Sequence, residues 1–197
     1  MRCIILRKSL LSLLVLILFS YFASAQKVLV NVYLQQKITR LKSDTIYYDT
    51  SRLLSWKDFQ GVPDNHHYGG AITASGYAFN SDIKMEGKII YMNIGVYVYF
   101  NKKQSWKKPS IISEYHLLHE QHHFDITRIA AEKFIVAVSK AKFTRDNYTQ
   151  VLNTLFDQSY NECSRLQQQY DRETAHSINK EEQLRWNELI SAMVKKL

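Results

Sequence analysis

His119-Glu120-Gln121-His122-His123 sets two imidazoles four residues apart, with a carboxylate directly after the first. On a helix, residues four apart lie about 40° apart around the axis, so His119 and His123 can grip one metal ion. Glu120, about 100° round from His119, stays beside it. Catalytic zinc keeps three protein ligands and one open position for water. It lowers the pKa of that water towards 7 and leaves a neighbouring carboxylate to take its proton during attack on a carbonyl. His119 and His123 are therefore candidate Zn2+ ligands, and Glu120 the candidate general base of a hydrolase. Leu117 and Leu118 before the motif, and Phe124 and Ile126 after it, predict a half-buried helix.

The five-residue signature names no third ligand. Polar groups concentrate at Tyr170-Asp171-Arg172-Glu173-Thr174-Ala175-His176. If the motif helix and the next form an antiparallel hairpin turning near Thr144, residues at roughly 165 to 171 stand opposite His119, a register that favours Asp171. His176 requires the chain to turn back after the second helix, but it is one of few histidines outside the first. Glu162 is a further option. The reading favours His176 as ligand with Asp171 as orienting partner or substitute ligand, so His176→Ala is expected to weaken zinc retention more than Asp171→Ala.

Four of the seven histidines, His116, His119, His122 and His123, fall within eight residues, a cluster that a metal-sequestering protein without catalysis would also use. Asp125 points roughly opposite the metal face and is assigned to structure. His66 and His67 read as a surface loop pair.

These residues need elements to hold them. Tyr91 to Phe100 alternates: Met92, Ile94, Val96, Val98 and Phe100 fall on one face, with Tyr91, Asn93, Gly95, Tyr97 and Tyr99 on the other. Glu86-Gly87 offers a hairpin turn back to Ile83-Lys84-Met85. Ala71 to Phe79 is another predicted strand, and Leu29 to Tyr33 and Thr45 to Tyr48 are weaker ones. From Pro109 the pattern turns helical. Ser110 or Ser113 caps a helix running to about Lys142, and a second runs from Thr144 or Asp146 to about Thr174. Asn179 with Glu182 announces a third. The predicted fold is α+β: an N-terminal antiparallel β-sheet (β-rich 27–100) followed by three helices (110–197), with the motif on the first long helix.

Arg2, Arg7 and Lys8, the apolar run Leu10 to Phe22 and Ala23-Ser24-Ala25 read as a signal peptide over residues 1–25, leaving one domain at 26–197 that is exported to the periplasm or beyond. Cys3 precedes the apolar run, which does not fit a lipoprotein anchor. No later stretch reaches the roughly 20 apolar residues of a membrane span. Removing the three basic residues takes the formal charge from +8 to +5. The pairs Lys102-Lys103 and Lys107-Lys108 read as a solvated loop, so no nucleic-acid partner is expected. Cys163, without a paired base and in a helical stretch, reads as a buried core thiol.

Taken together, Leu54-Ser55-Trp56-Lys57-Asp58-Phe59-Gln60-Gly61, Ser105-Trp106, Leu118 to Ile126, Tyr170-Asp171 with Thr174 and His176, and then Gln183 and Trp186 resemble a bacterial family of unknown function described as predicted secreted zinc-dependent proteases. The resemblance spans nearly all of the mature chain. It implies a zincin-like fold with the sheet packed over the motif helix. It also implies a peptide or protein substrate, which in related peptidases pairs as an extended strand with an edge above the metal, a mode that suits the Tyr-rich strand. One departure is visible: the family pattern has Gly after the final His, where this chain has Ser177, and a turn with positive φ is less comfortable there. The expected function is a secreted zinc metallopeptidase using Glu120 as base. The alternative is a non-catalytic metal-binding or envelope interaction protein built on the histidine cluster.

Overall fold

The computed structural model describes residues 27–36, 44–111 and 113–197. The expected signal segment, 1–25, and Cys3 lie outside them. The chain order is β1 (Lys27–Leu34), β2 (Thr45–Tyr47), a 3-10 turn (Trp56–Asp58), β3 (Ala71–Ile72), β4 (Ser75–Glu86), β5 (Ile89–Asn101), β6 (Trp106–Lys107), α1 (Glu114–Lys140), α2 (Tyr148–Thr174) and α3 (Lys180–Val194).

The alternating segment becomes the central strand, β5. β4 pairs with it antiparallel along its length, from Glu86 opposite Ile89 to Ser75 opposite Phe100. The two-residue turn between them uses Gly87 at φ 59, a conformation open to glycine without steric cost. The strands expected at 71–79 and 83–85 are thus largely one long strand, β4, with Ala71–Ile72 split off to pair with β6.

The sheet is mixed, and the expectation of an antiparallel one is corrected at β1. That strand runs parallel to β5, Lys27 opposite Ile89 through Leu34 opposite Val96. Parallel pairing needs a connection of a dozen or more residues, and the long excursion through β2, β3 and β4 supplies it. β2 pairs antiparallel with the far end of β5, Thr45 opposite Asn101. With β4 along one side and β1 and β2 along the other, the Tyr-rich strand has no edge left for an extended peptide.

One face of the sheet is the core. Ile94, Val96 and Phe100 are fully buried, as are Ile126, Ala131 and Phe134 on α1, which lies across the sheet. Each such large apolar side chain contributes about 1.5–3 kcal/mol by leaving water. α2 and α3 pack against α1 in turn. The starts of α1 and α3 follow from capping: Ser113 Oγ accepts from the His116 N–H of α1, and Asn179 Oδ1 from the Glu182 N–H of α3, each satisfying an amide with no helical partner. His116 is committed to that cap, its Nδ1 lying 2.5 Å from Ser113 Oγ. Burial pushes the Cys163 thiol up to about 11, which fits a packing residue and not a nucleophile. Among the described residues no helix is long and apolar enough to cross a membrane.

Asp125 ties helix to sheet. Its Oδ1 accepts from the Tyr48 hydroxyl at the end of β2 (2.9 Å) and from Gln121 Nε2 (2.8 Å), while Oδ2 meets His122 Nδ1 at 3.0 Å. Gln121 Oε1 in turn accepts from the buried Leu54 N–H at 2.8 Å. His122 is thereby engaged on the side of α1 away from the cleft. Asp125→Ala strands two buried donors and the half-buried Tyr48 hydroxyl and is expected to cost about 3 kcal/mol, read as a lower urea midpoint.

Candidate functional site

The helical hairpin brings the polar residues together in pairs. His119 stands opposite Asp171, His123 opposite Gln167 and Ala130 opposite Ser159, the antiparallel register of α1 on α2. His119 Nε2 lies 3.2 Å from Asp171 Oδ1, His123 Nε2 lies 3.0 Å from the same oxygen, and the two Nε2 atoms are 3.3 Å apart. His119, His123 and Asp171 form the group whose donor atoms all lie within 4.8 Å of one another, and this group could hold a metal ion. Tetrahedral donors at zinc's usual bond lengths stand about 3.3 Å apart, so the cluster already has the edges of such a site.

The outer ring nitrogens explain why both Nε2 atoms face inward. His119 Nδ1 is 2.8 Å from Gln183 Oε1 on α3. The Gln183 amide cannot face the other way, because its Nε2 donates to Tyr170 Oη and to Asn187 Oδ1, each at 2.7 Å. His123 Nδ1 meets Gln167 Oε1 at 2.5 Å, and Gln167 is oriented by donation from its Nε2 to the His123 carbonyl (2.8 Å) and Thr127 Oγ1 (3.2 Å). Each Nδ1–H therefore donates outward to an amide oxygen, the arrangement that fixes tautomer and ring angle in metal-binding histidines. Tyr170 fills the space behind, stacked on His119 with ring centroids 4.6 Å apart and itself against Trp186.

Glu120 is buried beside the cluster. Thr73, in the short link between β3 and β4, donates to its Oε2 at 2.7 Å. Among the described residues nothing bonds the other carboxylate oxygen, and Glu120 and Thr73 both line a cleft of about 310 Å³ that also opens onto His119, His123 and Asp171.

His176, the favoured third ligand, stands at the rim of this cleft and outside the closed group. Its Nδ1 is 3.3 Å from Asp171 Oδ1, and its side chain is about one-third exposed (32%). Asp171, weighed as orienting partner or substitute, occupies the inner position. Glu162 is exposed on α2, away from the cleft. His66 remains a surface residue. His67, expected to do the same, lines the cleft, stacked on Tyr68, whose ring in turn meets His176.

The turn that carries His176 is strained. Ala175, His176 and Ser177 have φ of 46°, 52° and 71°, three successive left-handed residues with no glycine among them. The positive φ foreseen as uncomfortable at Ser177 is adopted nonetheless, at about 1–2 kcal/mol per residue. Bonds on either side hold it: His176 N–H to the Asp171 carbonyl (2.9 Å), Asn179 N–H to the Thr174 carbonyl (2.8 Å), and the Tyr115 hydroxyl to the Ser177 carbonyl (2.8 Å).

Gln167 and Thr73 carry roles that the sequence reading did not assign, and so do Tyr170 and Gln183, which it named within the resemblance without a role. Gln167 was within reach: it precedes Asp171 by four, as His119 precedes His123, so an antiparallel hairpin sets the two pairs face to face. Thr73 had no local signal.

A family model described as "Bacterial protein of unknown function (DUF922)" matches residues 101–177, a stretch that holds His119, Glu120, His123, Asp171 and His176. The match supports that family and assigns it no activity. It omits Leu54 to Gly61, Gln183 and Trp186, on which the wider resemblance also rested. No curated protein and no solved structure matches the chain.

The site's charge is set by two opposed shifts. Burial works against an imidazolium at His123, but the hydrogen bond and charge of Asp171 outweigh it, and its pKa rises to about 9. Burial likewise pushes the Asp171 carboxyl up, yet bonds from His119 and His123 hold it well below the ordinary carboxylate range. A raised histidine pKa stabilises the fold fully below the unfolded value of about 6.5, and that contribution is lost as pH climbs through about 9. The metal-free protein is therefore expected to lose urea stability across that window. A metal ion held by this group would have to displace the His123 proton, so zinc binding at pH 7.5 is expected to release about one proton per ion, measurable by calorimetry in buffers of different ionisation enthalpy. Asp171→Asn is expected to lower zinc affinity at least about a hundredfold, Gln183→Leu about tenfold or more and His176→Ala less than about tenfold, by competition with a chromophoric chelator. The reverse order for Asp171 and His176 would restore His176 as the ligand.

Proposed function

We propose that the chain is a zinc-dependent hydrolase of peptide bonds, with His119, His123 and Asp171 as metal ligands and Glu120 as general base, on a zincin-like arrangement of sheet and motif helix. One observation carries the reading: the two oriented imidazoles and the carboxylate oxygen meet at coordination spacing with a buried glutamate directly beside them. Two imidazoles and a carboxylate also suit non-haem iron, but a hydroxyl-anchored glutamate at the same cleft is what hydrolysis needs and sequestration does not.

A zinc ion bound there supplies a Lewis acid that polarises the scissile carbonyl and acidifies a water molecule. The residues do the rest. Glu120, its Oε2 held by Thr73, takes the water's proton on Oε1 as the water oxygen attacks the carbonyl carbon. As the C–N bond breaks, Glu120 returns that proton to the departing amine. Gln183 and Gln167 keep the imidazoles in register throughout.

The substrate's strand has an edge to pair with, though not the Tyr-rich strand. Gly70, Ile72 and Ala74 turn their peptide groups towards β6 and the end of β5: the Lys108 N–H donates to the Gly70 carbonyl and the Asn101 N–H to that of Ala74, each at 2.8 Å, while Ile72 pairs with Trp106. Alternation along the extended chain turns the peptide groups of Ala71 and Thr73 the other way, beside a cleft that both residues line.

Glu120→Gln is expected to retain about one zinc per chain while cutting hydrolysis of a mixed peptide library by about 10²–10⁴-fold. A zinc-loaded unmodified protein that cleaves nothing in such a library would leave the non-catalytic metal-binding reading in its place.

A further inference from the structure

The sheet has a second face, and among the described residues all three helices pack on the other one. Across it, Tyr33, Gly95 and Asn80 form one row and Asn31, Asn93 and Asp82 the next, while Tyr97 stands opposite Ala78 and Tyr99 lies between Tyr47 and Gly76. The floor is small where the rings are large. A Cβ on Gly76 would stand 2.8 Å from the Tyr99 hydroxyl, and one on Gly95 would meet Gln35 Oε1 at 2.8 Å and the Tyr33 hydroxyl at 3.3 Å. These side chains therefore lie along the sheet and do not stand off it. Tyr47, Tyr97 and Tyr99 follow one another with ring centroids 6.0 and 6.2 Å apart, and with Asn101 and Gln104 they line a groove of about 550 Å³.

Among the described residues the charges on this face cancel. Lys27 and Lys84 are balanced by Asp82 and Glu86, and at the groove Asp44 pairs with Lys103 at 2.9 Å. A polyanion such as RNA needs an excess of Lys and Arg to displace its counterions, which the described residues of this face do not offer. An amphipathic helix needs a row of aliphatic side chains, and the groove has none. What it has is aromatic rings, whose electron-rich faces attract polarised C–H groups, together with the exposed Gln104 amide, which donates and accepts at once as sugar hydroxyls do, and Asn101 Nδ2, whose partner Oδ1 already accepts from the Lys103 and Gln104 N–H groups.

We propose that this face binds an extended neutral oligosaccharide, with Tyr97 and Tyr99 stacking on successive sugar rings, Tyr47 flanking them edge-on to Tyr97, and Asn101 Nδ2 and the Gln104 amide bonding the hydroxyls. It is a second binding site, on the side of the sheet opposite the helices that carry His119 and Asp171, and it does not depend on the metal chemistry.

The test titrates the full 15N-labelled mature protein with cellohexaose and with chitohexaose. Saturable shifts confined to the outward residues of β2, β4 and β5 are expected with at least one of them. Tyr97→Ala should weaken that binding about tenfold, and Tyr91→Ala, on the same face but beyond the groove, should leave it unchanged. If Tyr97→Ala lowers the unfolding midpoint, Tyr47→Ala on the short β2 gives the same reading. No shift with either sugar at millimolar concentration, equal binding by the tyrosine variants, or a complex in this groove with poly(U) or a proline-rich peptide in place of sugar would each overturn the proposal.

Discussion

The antiparallel register of α1 against α2 is the constraint on which the site depends, and the Gln167 side chain pins it. One amide bonds the His123 ring, the His123 carbonyl and Thr127 Oγ1, so it fixes helix spacing and imidazole orientation together. A slip of one residue between the helices would rotate Asp171 about 100° away from the two Nε2 atoms, because side chains on a helix advance by that angle per residue. The buried Ser159 hydroxyl bond to the Ala130 carbonyl (3.1 Å) repeats the same register about two turns further along. Such polar fastenings along the seam specify alignment in a way that interchangeable aliphatic contacts do not.

The sheet supplies the other half of the site. Thr73 reaches Glu120, and Ser75 Oγ lies 2.7 Å from Thr127 Oγ1, so the segment leading into β4 is bonded to the same two turns of α1 that carry the imidazoles. On its other side that segment is held by Ser105, a fully buried residue whose Oγ accepts from the Ala74 N–H at 2.9 Å and whose carbonyl accepts from the Gly61 N–H at 2.8 Å. A Cβ on Gly61 would sit 2.6 Å from the Lys103 carbonyl, so only glycine allows that approach. Residues far from the motif in sequence thus decide where the glutamate's free oxygen points.

Much of this was legible in the chain. The period-two alternation identified β5 and its buried face, the caps at Ser113 and Asn179 marked two helix starts, and the spacing of His119 and His123 located the cluster. Those signals are local, and each is a direct product of backbone geometry. The parallel pairing of β1, the single long β4 and the contact of Thr73 with Glu120 depend on which segments meet across tens of residues, and no pattern within a strand encodes its partner. Asp171 against His176 was a question of register and turn shape together. The hairpin register pointed to Asp171, and the weight given to histidine as a ligand type pulled the reading the other way. The Asp58 carboxylate, which entered only within the Leu54 to Gly61 segment of the resemblance, closes the 3-10 turn by accepting from the Ser55 N–H at 2.8 Å and pairs with Arg52 at 3.0 Å.

The left-handed turn at Ala175, His176 and Ser177 works as a phase setter. It reverses the chain between α2 and α3 in so few residues that Asp171, which touches both imidazoles, and Gln183, which aligns one of them, belong to a single short stretch. Insertion or loss of one residue in that turn would turn α3 by about 100° about its axis and carry Gln183 off His119, even with every helix intact. The strain in those three residues is the cost of a connection with no slack. This part of the chain can therefore vary in side-chain identity far more readily than in length.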